Sequence, residues 1–557
     1  MIAQIGERSV EEYAALTAAA SRGRNNALLQ RAVARHGSRT LAIDEAKRFA
    51  ALVEDFARRF GKDRRVCLYE SPGRVNLMGM HIDHRGGIVN PVATQERVRA
   101  VCGRREDDLI GARSLSGDFG EGEFRISDRL PPKPLNSLGQ WLDWTEREAV
   151  ATGGGKQFVN YFACGPLYAA CFLYPPGRQF AGADFLFDSD LPPSSGLSSS
   201  SALVVLATDF FLRCNPEGIG ELPIEKLLEV YGYGEWYIGT RGGTGDQAAI
   251  KLCRRGAVQP IITTPEFLAR DPAPIPDGHD VVLYQSGDAA NKSVEPYKTR
   301  FNAPIISYQA AELLLTEFVE AHKPARFAEL MAGRASADGR HHRVYLGDVT
   351  SHAILSEAEI YQFLRTVPRV MSQDEIFRRF QRRAETFQAG IQQANEPEGG
   401  YHVRDAAAFG FGECDRAENA GRMLAAGDME GFAEMLNVSQ LGDRVTEVEE
   451  TSSRRIKLLG DEALFAMERE GLPIRRLAGD YHVSTANIDR MVSICLGCPE
   501  VLAARLSGAG LGGMLIVLGR EGFQESLDPV LRREYYEPLG RDLEKIPIVP
   551  SEGAGAY

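Results

Sequence analysis

A serine-rich turn that leads into an apolar segment is the feature that most constrains this chain. Residues 191–212 read LPPSSGLSSSSALVVLATDFFL, in which a Pro-Pro-Ser-Ser-Gly turn precedes four serines and an apolar run of helical length. Glycine allows the backbone to approach a ligand closely, and the first turn of a helix presents unpaired N–H groups and a positive dipole end to an anion. A Walker A loop is excluded because no Gly-Lys-Ser/Thr follows the glycine. The stretch indicates a phosphate-binding loop, although a serine-capped helix fits it equally well when it is taken alone.

Composition narrows the class of protein. The 557 residues carry a net charge of −12 and no run of lysines and arginines, which argues against a nucleic-acid groove. The first residues include early acidic groups instead of the apolar core of a secretory signal, and no run approaches the ~18 apolar residues that cross a bilayer. The nine cysteines are scattered without a framework spacing, so we interpret them as reduced thiols. We therefore expect a cytoplasmic protein that acts without nucleic acid or membrane.

A second stretch, at residues 71–93, concentrates polar groups within an apolar framework of predicted strands. It reads SPGRVNLMGMHIDHRGGIVNPVA, and its polar members are Arg74, Asn76, His81, Asp83 and His84. Buried polar side chains need hydrogen-bond partners, and five of them stand within eleven residues here. A ligand rich in hydroxyl groups would supply such partners.

Two glycine-rich turns complete the pattern. Residues 239–247 read GTRGGTGDQ and deliver Asp246 to the start of an element, where it is an N-cap or, opposite a phosphate loop, a candidate base. Residues 507–513 read SGAGLGG and precede a strand. A glycine run of this kind is weak support for nucleotide binding, and it departs from the dinucleotide fingerprint, which joins a strand to a helix. A hydride-transfer enzyme is therefore not expected.

Taken in order, these motifs resemble the GHMP family of small-molecule kinases, and the galactokinases most closely. The first motif is similar to the galactokinase signature, and the serine loop and the SGAGLGG turn follow it in the family's order. GTRGGTGDQ resembles the segment of the catalytic aspartate, residues 288–302 (DAANKSVEPYKTRFN) resemble the sugar-contacting segment, and residues 545–557 resemble the tail. The resemblance runs from about residue 60 to the C-terminus.

The resemblance implies an α+β fold with the two lobes of a GHMP kinase. Residues 1–62, which show charged and apolar positions at helical spacing, are then an N-terminal helical extension. The N-terminal lobe is expected over residues 63–285 and the C-terminal lobe over residues 286–557. The first 60 or so residues and part of residues 320–420 exceed the family's usual length, so we expect a helical insertion in the second range.

Catalytic roles also follow from the resemblance. Asp246 would accept or attract the proton of the sugar's anomeric hydroxyl, and Arg74 would keep that carboxylate ionised. Ser200 would coordinate Mg²⁺, together with Glu235, which stands one residue after the family's glutamate position at Gly234. The phosphates of ATP would be held along the serine loop by Gly196, Leu197, Ser198, Ser199, Ser200 and Ser201. Phosphoryl transfer needs mainly this positioning and charge neutralisation.

The sugar is where the sequence departs from the family. The residues expected to contact the sugar are Met80, His81, Asp83, His84, Gly243 and Tyr297. Met80 replaces the glutamate that reaches the substituent at carbon six, and losing that acceptor costs on the order of 1 kcal/mol for a hydroxymethyl group. The motif is also similar to plant galacturonate kinases. Galactose therefore stays the general prediction, with galacturonate, and then L-arabinose or a fucose-like sugar, as alternatives; a uronate would need a cation, for which His84, Lys292 and Arg241 are candidates.

The expected ligands are a small sugar, ATP and Mg²⁺, and the oligomeric state stays open. A non-catalytic sensor of sugar and ATP is the alternative from another class, because such folds serve as regulators. The presence of Arg74, Ser200 and Asp246 together favours an enzyme. A homoserine-type or mevalonate-type kinase is disfavoured by His81, Asp83 and the tail.

Overall fold

The computed structural model describes residues 7–117, 119–192, 196–240, 242–288, 295–334, 343–381, 395–446 and 461–557. The chain forms two compact units. The first contains residues 1–75, 92–259 and 549–557, and the second contains residues 76–91 and 260–548.

The α-helices of the described residues fall in both units. They are α1 (Val10–Ser21), α2 (Ala27–His36), α3 (Arg39–Phe60), α4 (Ile126–Arg129), α5 (Leu138–Ala151), α6 (Cys164–Phe172), α7 (Ser199–Cys214), α8 (Ile224–Gly234), α9 (Gly245–Leu252), α10 (Tyr297–His322), α11 (Pro324–Gly333), α12 (Leu346–Ser351), α13 (Glu357–Thr366), α14 (Gln373–Arg379), α15 (Val403–Ala425), α16 (Met429–Asp443), α17 (Asp461–Arg469), α18 (Ala486–Leu496) and α19 (Gln524–Leu531).

The strands differ widely in length. They are β1 (Arg8–Ser9), β2 (Arg65–Met78), β3 (Asn90–Arg104), β4 (Leu109–Ser114), β5 (Glu121–Arg125), β6 (Ala183–Ser189), β7 (Ala257–Val258), β8 (Ile261–Ile262), β9 (Leu268–Ala269), β10 (Ala273–Pro274), β11 (His279–Gln285), β12 (Val501–Leu506), β13 (Met514–Arg520), β14 (Lys545–Ile548) and β15 (Gly555–Ala556).

The first unit is built on a mixed sheet with the strand order β1-β2-β3-β6-β4-β5, in which β15 pairs with β2. Neighbouring side chains of a strand point to opposite faces. On β6, Leu186 joins the apolar cluster of α1, α2 and α3, whereas the adjacent Phe185 packs edge-on against Phe210 of α7, with ring centroids 5.6 Å apart. The N-terminal helices thus cover one face of the sheet, and the helix that follows the serine loop covers the other.

The predicted N-terminal helices are present and are capped as their sequences indicate. Ser9, Asn26 and Ser38 each accept a hydrogen bond from the backbone N–H three residues ahead, at the starts of α1, α2 and α3. Gly37 ends α2 with a φ of 70°, a conformation that favours glycine. The C-terminal Tyr557 is buried against Phe49 of α3, with ring centroids 5.1 Å apart. The extension therefore also holds the end of the chain.

Strand β2 differs from the expectation of short strands separated by Pro and Gly. It continues through Pro72 and Gly73 as far as Met78. Proline removes one donor but keeps an extended φ, so it is compatible with a strand where that donor is not needed. Gly73 is needed because a Cβ at this position would lie 2.8 Å from the carbonyl oxygen of Leu197.

The second unit contains an antiparallel sheet with the strand order β12-β13-β11-β14. The SGAGLGG turn joins β12 to β13, so it connects two antiparallel strands. The strand before this turn, Val501–Leu506, was not predicted from the sequence. The charged region at residues 320–420 is helical in its described parts, as predicted.

The boundaries of the compact units differ from the predicted lobes. Residues 76–91 belong to the second unit, and the tail at residues 549–557 belongs to the first because β15 pairs with β2. Among the described helices, none combines the length and the apolar character that a membrane span requires.

Candidate active site

The start of α7, in the first unit, is shaped by a residue in a left-handed conformation. Ser198 has a φ of 59°, which is uncommon outside glycine and marks a strained position. Its hydroxyl donates to Oδ2 of Asp246 at 2.6 Å instead of capping the helix that begins at Ser199. The sequence was compatible with a serine-capped helix and with a phosphate-binding loop. The geometry is inconsistent with a cap formed by the Ser198 side chain. The first amides of α7 are therefore not capped by Ser198.

Arg74 and Asp246 form a two-bond ion pair in the same unit. The Nε and Nη2 atoms of Arg74 donate to Oδ1 and Oδ2 of Asp246, both at 2.8 Å. Two contacts tie Arg74 to the serine loop: its Nη1 donates to the Gly196 carbonyl at 2.9 Å, and its backbone N–H donates to the Leu197 carbonyl at 3.1 Å. Charge-assisted hydrogen bonds of this bidentate kind fix the orientation of both side chains in addition to stabilising their charges.

Asp246 lies in the first turn of α9, whose N-cap position is Thr244. Its carboxylate accepts hydrogen bonds from the side chains of Arg74 and Ser198. Gly243 is exposed just before this helix, and a Cβ there would meet nothing within 4 Å. The structure thus brings Arg74, Ser198 and Asp246 together.

Glu235 is a buried carboxylate next to the serines of α7. Its Oε2 accepts hydrogen bonds from Ser201 Oγ at 2.8 Å and from Gln247 Nε2 at 2.5 Å. Burial raises the pKa of Glu235 to about 7, the Ser201 and Ser200 hydroxyls oppose that rise, and the charge of Asp246 adds to it. A divalent cation would favour the ionised carboxylate, and carboxylate and hydroxyl oxygens are ligands suited to Mg²⁺. Glu235, Ser200 and Ser201 therefore fit such an ion.

The first motif continues into a tight turn that belongs to the second unit. Gly79 has a φ of 93°, and a Cβ there would lie 2.2 Å from the Ile88 carbonyl oxygen. Asn76 Nδ2 donates to the Gly79 carbonyl at 3.0 Å, and the backbone N–H of Asn90 donates to Asn76 Oδ1 at 2.9 Å. The polar side chain of Asn76 thus has backbone partners, so it does not need the ligand partner that the sequence suggested.

His81 and Asp83 lie on this turn in different surroundings. His81 has a φ of 62°, stacks on Tyr481 with centroids 4.3 Å apart, and places Nε2 3.4 Å from Oδ1 of Asp443. Asp83 is partly exposed and its Oδ1 lies 2.8 Å from Nδ1 of His84. Enclosure by protein acts to raise the pKa of Asp83, but the charge and hydrogen bond of His84 hold it well below its usual value. Asp83 is therefore an ionised acceptor.

Of the other predicted sugar contacts, Met80 is buried and Tyr297 is exposed. Met80 is 3% exposed, and its Sδ lies 3.5 Å from Nδ2 of Asn76. The galacturonate interpretation relied on contact between this side chain and the sugar, and the buried side chain gives it no support. Tyr297 begins α10 and is exposed. Arg241 and Lys292 lie outside the described residues.

The SGAGLGG turn packs against the protein itself. Leu511 N donates to the Val483 carbonyl at 2.7 Å, and a Cβ at Gly510 would lie 2.6 Å from the same oxygen. One close approach that the glycines permit is thus to the chain's own backbone.

The turn at residues 79–83 is called the sugar turn below because it carries predicted sugar contacts. Sequence reasoning missed three residues that support it: Glu413, Asp443 and Tyr481. Glu413 accepts hydrogen bonds from the backbone N–H groups of Gly79 and Met80, and lies 333 residues after Met80. The available signal was a charged residue in the apolar run AAAFGFGEC of α15. It predicts a buried charge but not its partner.

Sequence comparisons find similarity to GHMP kinases and to galactokinases. Residues 54–104 match the galactokinase galactose-binding signature, and residues 161–254 match the N-terminal domain of GHMP kinases. The galactokinase of Chloroflexus aggregans is 25% identical over 502 residues, covering 90% of this chain and 95% of that protein. The galactokinase of Enterococcus faecalis is 23% identical over 508 residues, covering 90% and 98%.

A solved structure agrees with the fold. The crystal structure of Lactococcus lactis galactokinase complexed with galactose aligns with a TM-score of 0.58 and 19% identity, over 91% of this chain and 99% of that one. The predicted α+β fold of GHMP kinases is therefore confirmed. Together with the two family matches and the relatives that align over most of the chain, these findings support its identification as a GHMP galactokinase-like sugar kinase.

Proposed function

We propose that the protein transfers the γ-phosphoryl group of ATP to the anomeric hydroxyl of galactose, giving galactose 1-phosphate and ADP. The observation that carries this proposal is the two-bond ion pair of Arg74 and Asp246 beside the start of α7. The relatives named galactokinase, which align over most of the chain, support galactose as the acceptor.

In the proposed step, Asp246 takes the proton of the anomeric hydroxyl. The sugar oxygen forms a bond to the γ-phosphorus while the bond from that phosphorus to the bridging oxygen breaks, and ADP leaves. Arg74 favours the ionised form of Asp246 because an opposite charge within hydrogen-bonding distance stabilises the carboxylate. Ser198 donates to the same carboxylate and orients it.

The serine loop is proposed to hold the phosphates of ATP. The backbone N–H groups from Gly196 to Ser201 suit this role because the start of α7 offers donors and the positive end of the helix dipole. Glu235 and Ser200 would hold Mg²⁺, which neutralises charge on the transferring phosphoryl group when it is bound. On the second unit, ionised Asp83 accepts hydrogen bonds from sugar hydroxyls, with His81, His84 and Tyr297 as further contacts.

The test is ADP release from ATP and Mg²⁺ with galactose, galacturonate, glucuronate, L-arabinose and fucose, and with Asp246→Ala as the inactive control. We expect galactose to give the highest kcat/KM and the 1-phosphate to be the product by phosphorus NMR. A clear preference for galacturonate would mean that the acceptor is galacturonate and not galactose. If calorimetry shows sugar binding but no sugar is turned over, the protein is a sensor of sugar and ATP and not an enzyme.

A further inference from the structure

A buried carboxylate holds the turn that carries the predicted sugar contacts. Oε1 of Glu413 accepts two hydrogen bonds from consecutive backbone amides, that of Gly79 at 3.0 Å and that of Met80 at 2.8 Å. Glu413 lies on α15 and is 0% exposed. Because hydrogen bonds to an ionised acceptor are about twice as strong as neutral ones, this oxygen fixes the peptide plane between Gly79 and Met80.

The turn needs such support because its conformation is strained. Gly79 and His81 have φ values of 93° and 62°, and His81 is a residue type that pays a cost in this region. A position of this kind persists where its surroundings over-determine it. Glu413 accepts from the amides on both sides of the Gly79 Cα, and Asn76 donates to the carbonyl of Gly79.

Glu413 belongs to a buried set of four alternating charges. Its Oε2 accepts from Arg416 Nε at 2.8 Å, and its Oε1 lies 3.5 Å from Nη1 of Arg505. Nη2 of Arg505 lies 3.9 Å from Asp443, which in turn faces His81 at 3.4 Å. The cluster thus reaches the turn at two points, through the amide of Met80 and through the ring of His81.

Burial acts to raise the pKa of Glu413, but the Arg416 and Arg505 guanidiniums and the Met80 amide lower it to about 2. The carboxylate is therefore ionised at neutral pH, where its acceptor strength is greatest. A neutral amide at this position would have one oxygen for both the turn and Arg416, so it could not satisfy both.

We propose that Glu413 is a positioning residue for sugar binding, which fixes the turn that carries His81 and Asp83 and so sets the affinity for the sugar. The proposal rests on the proposed galactose kinase activity for its kinetic readout. The proposal concerns the turn of the second unit, whereas the proposed phosphoryl-transfer residues Arg74, Ser198 and Asp246 belong to the first unit.

The test compares Glu413→Gln with a matched control, Asp489→Asn. Asp489 is also buried in the second unit, and its Oδ2 also accepts two consecutive amides at 2.9 Å, those of Val445 and Thr446, which are not predicted sugar contacts. We expect Glu413→Gln to raise KM for galactose roughly tenfold to a hundredfold, with kcat and KM for ATP within about twofold of the wild type. Asp489→Asn should leave KM for galactose unchanged.

Hydrogen exchange of the peptide containing residues 78–82 gives a readout that does not need turnover. Exchange there should accelerate in Glu413→Gln and stay at the wild-type rate in Asp489→Asn. Unchanged exchange would overturn the proposal even if the wild type phosphorylates no sugar, and unchanged KM for galactose in an active Glu413→Gln enzyme would overturn it while the proposed function stands. Should Glu413→Gln fail to fold, Arg416→Lys, which keeps the charge beside Glu413, is expected to show a smaller change of the same kind.

Discussion

In the first unit, the polar groups of the candidate active site bind one another, whereas in the second unit buried charges support the turn that carries the predicted sugar contacts. The side chains of Arg74 and Asp246 are 16% and 43% exposed, but those of Glu413 and Arg505 are both 0% exposed. A partly exposed pair keeps its carboxylate accessible to a substrate. A buried cluster instead holds the backbone in one conformation. It is sensitive to substitution because removing one partner leaves an uncompensated buried charge.

The same contrast appears in two of the non-glycine residues that have a positive φ. Ser198, with a φ of 59°, is tied by its own hydroxyl to Asp246. His81, with a φ of 62°, depends on Tyr481, Asp443 and the neighbouring Glu413 contacts. Strain at the start of α7 is thus balanced by the proposed catalytic residue Asp246, and strain at the turn of His81 by residues that we do not expect to touch the substrate.

The largest effect is expected in the first unit. Asp246→Asn keeps the size of the side chain and removes the charge that takes the proton, so we expect kcat to fall by about 10²- to 10⁴-fold. Galactose affinity, measured by calorimetry, should change little because the predicted sugar acceptors lie on another segment. A kcat within tenfold of the wild type would assign Asp246 an orienting role and break the distinction drawn between the two regions.

The residues of the first region can be proposed from the sequence because they lie within short motifs. Leu191–Leu212 indicates the loop and helix, and Gly239–Gln247 indicates the turn before Asp246. Turn chemistry and helix starts are local properties that spacing reveals. The pairing of Arg74 with Asp246 is not local, since 172 residues separate them, and it was expected only from the family resemblance.

The second region shows where such reasoning stops. The polar stretch at residues 71–93 was recognised, but its turn is supported by Glu413 and Arg505, which stand in a helix and a strand with no motif of their own. Burial and partner choice are tertiary properties, and a charged residue in an apolar run has many possible partners. The burial of Met80 could likewise not be predicted from its position in the motif.

The next largest effect is expected at the sugar turn. Asp83→Asn replaces an ionised acceptor by a neutral one, and we expect KM for galactose to rise roughly tenfold to a hundredfold while kcat stays within about threefold. Asp271→Asn, an exposed carboxylate of the same unit, is the control and should behave as the wild type. Equal loss of kcat and kcat/KM in Asp83→Asn would instead place this residue in the transition state.

A smaller effect is expected from Glu235, which concerns the metal and not the sugar. Glu235→Gln removes the charged oxygen beside Ser200 and Ser201, so the Mg²⁺ concentration for half-maximal rate should rise about tenfold. KM for galactose at saturating Mg²⁺ should not change, and chelation of Mg²⁺ should abolish turnover by the wild type. An unaltered Mg²⁺ requirement in Glu235→Gln would exclude it as a ligand.

The smallest effect concerns stability in acid and separates the buried cluster from the exposed pair. The pKa of Glu413 is about 2 in the folded chain against an ordinary value of 4.5, because the guanidiniums of Arg416 and Arg505 overcome the effect of burial. A lowered pKa stabilises the fold fully above the unfolded value and loses that contribution as pH falls from about 4.5 towards 2. The limiting slope for one group is about 1.4 kcal/mol per pH unit, or tenfold in the unfolding equilibrium.

Urea unfolding of the wild type and Glu413→Gln between pH 6 and pH 3 measures this contribution. The variant should be less stable at pH 6 because Arg416 and Arg505 lose their partner, and it should show a shallower decline below pH 4.5 because the titrating group is gone. Parallel declines for the two proteins would mean that folding does not lower the pKa of Glu413. The guanidiniums would then not stabilise its ionised form, and the contrast between an accessible pair and a buried charge cluster would no longer explain how the two regions are built.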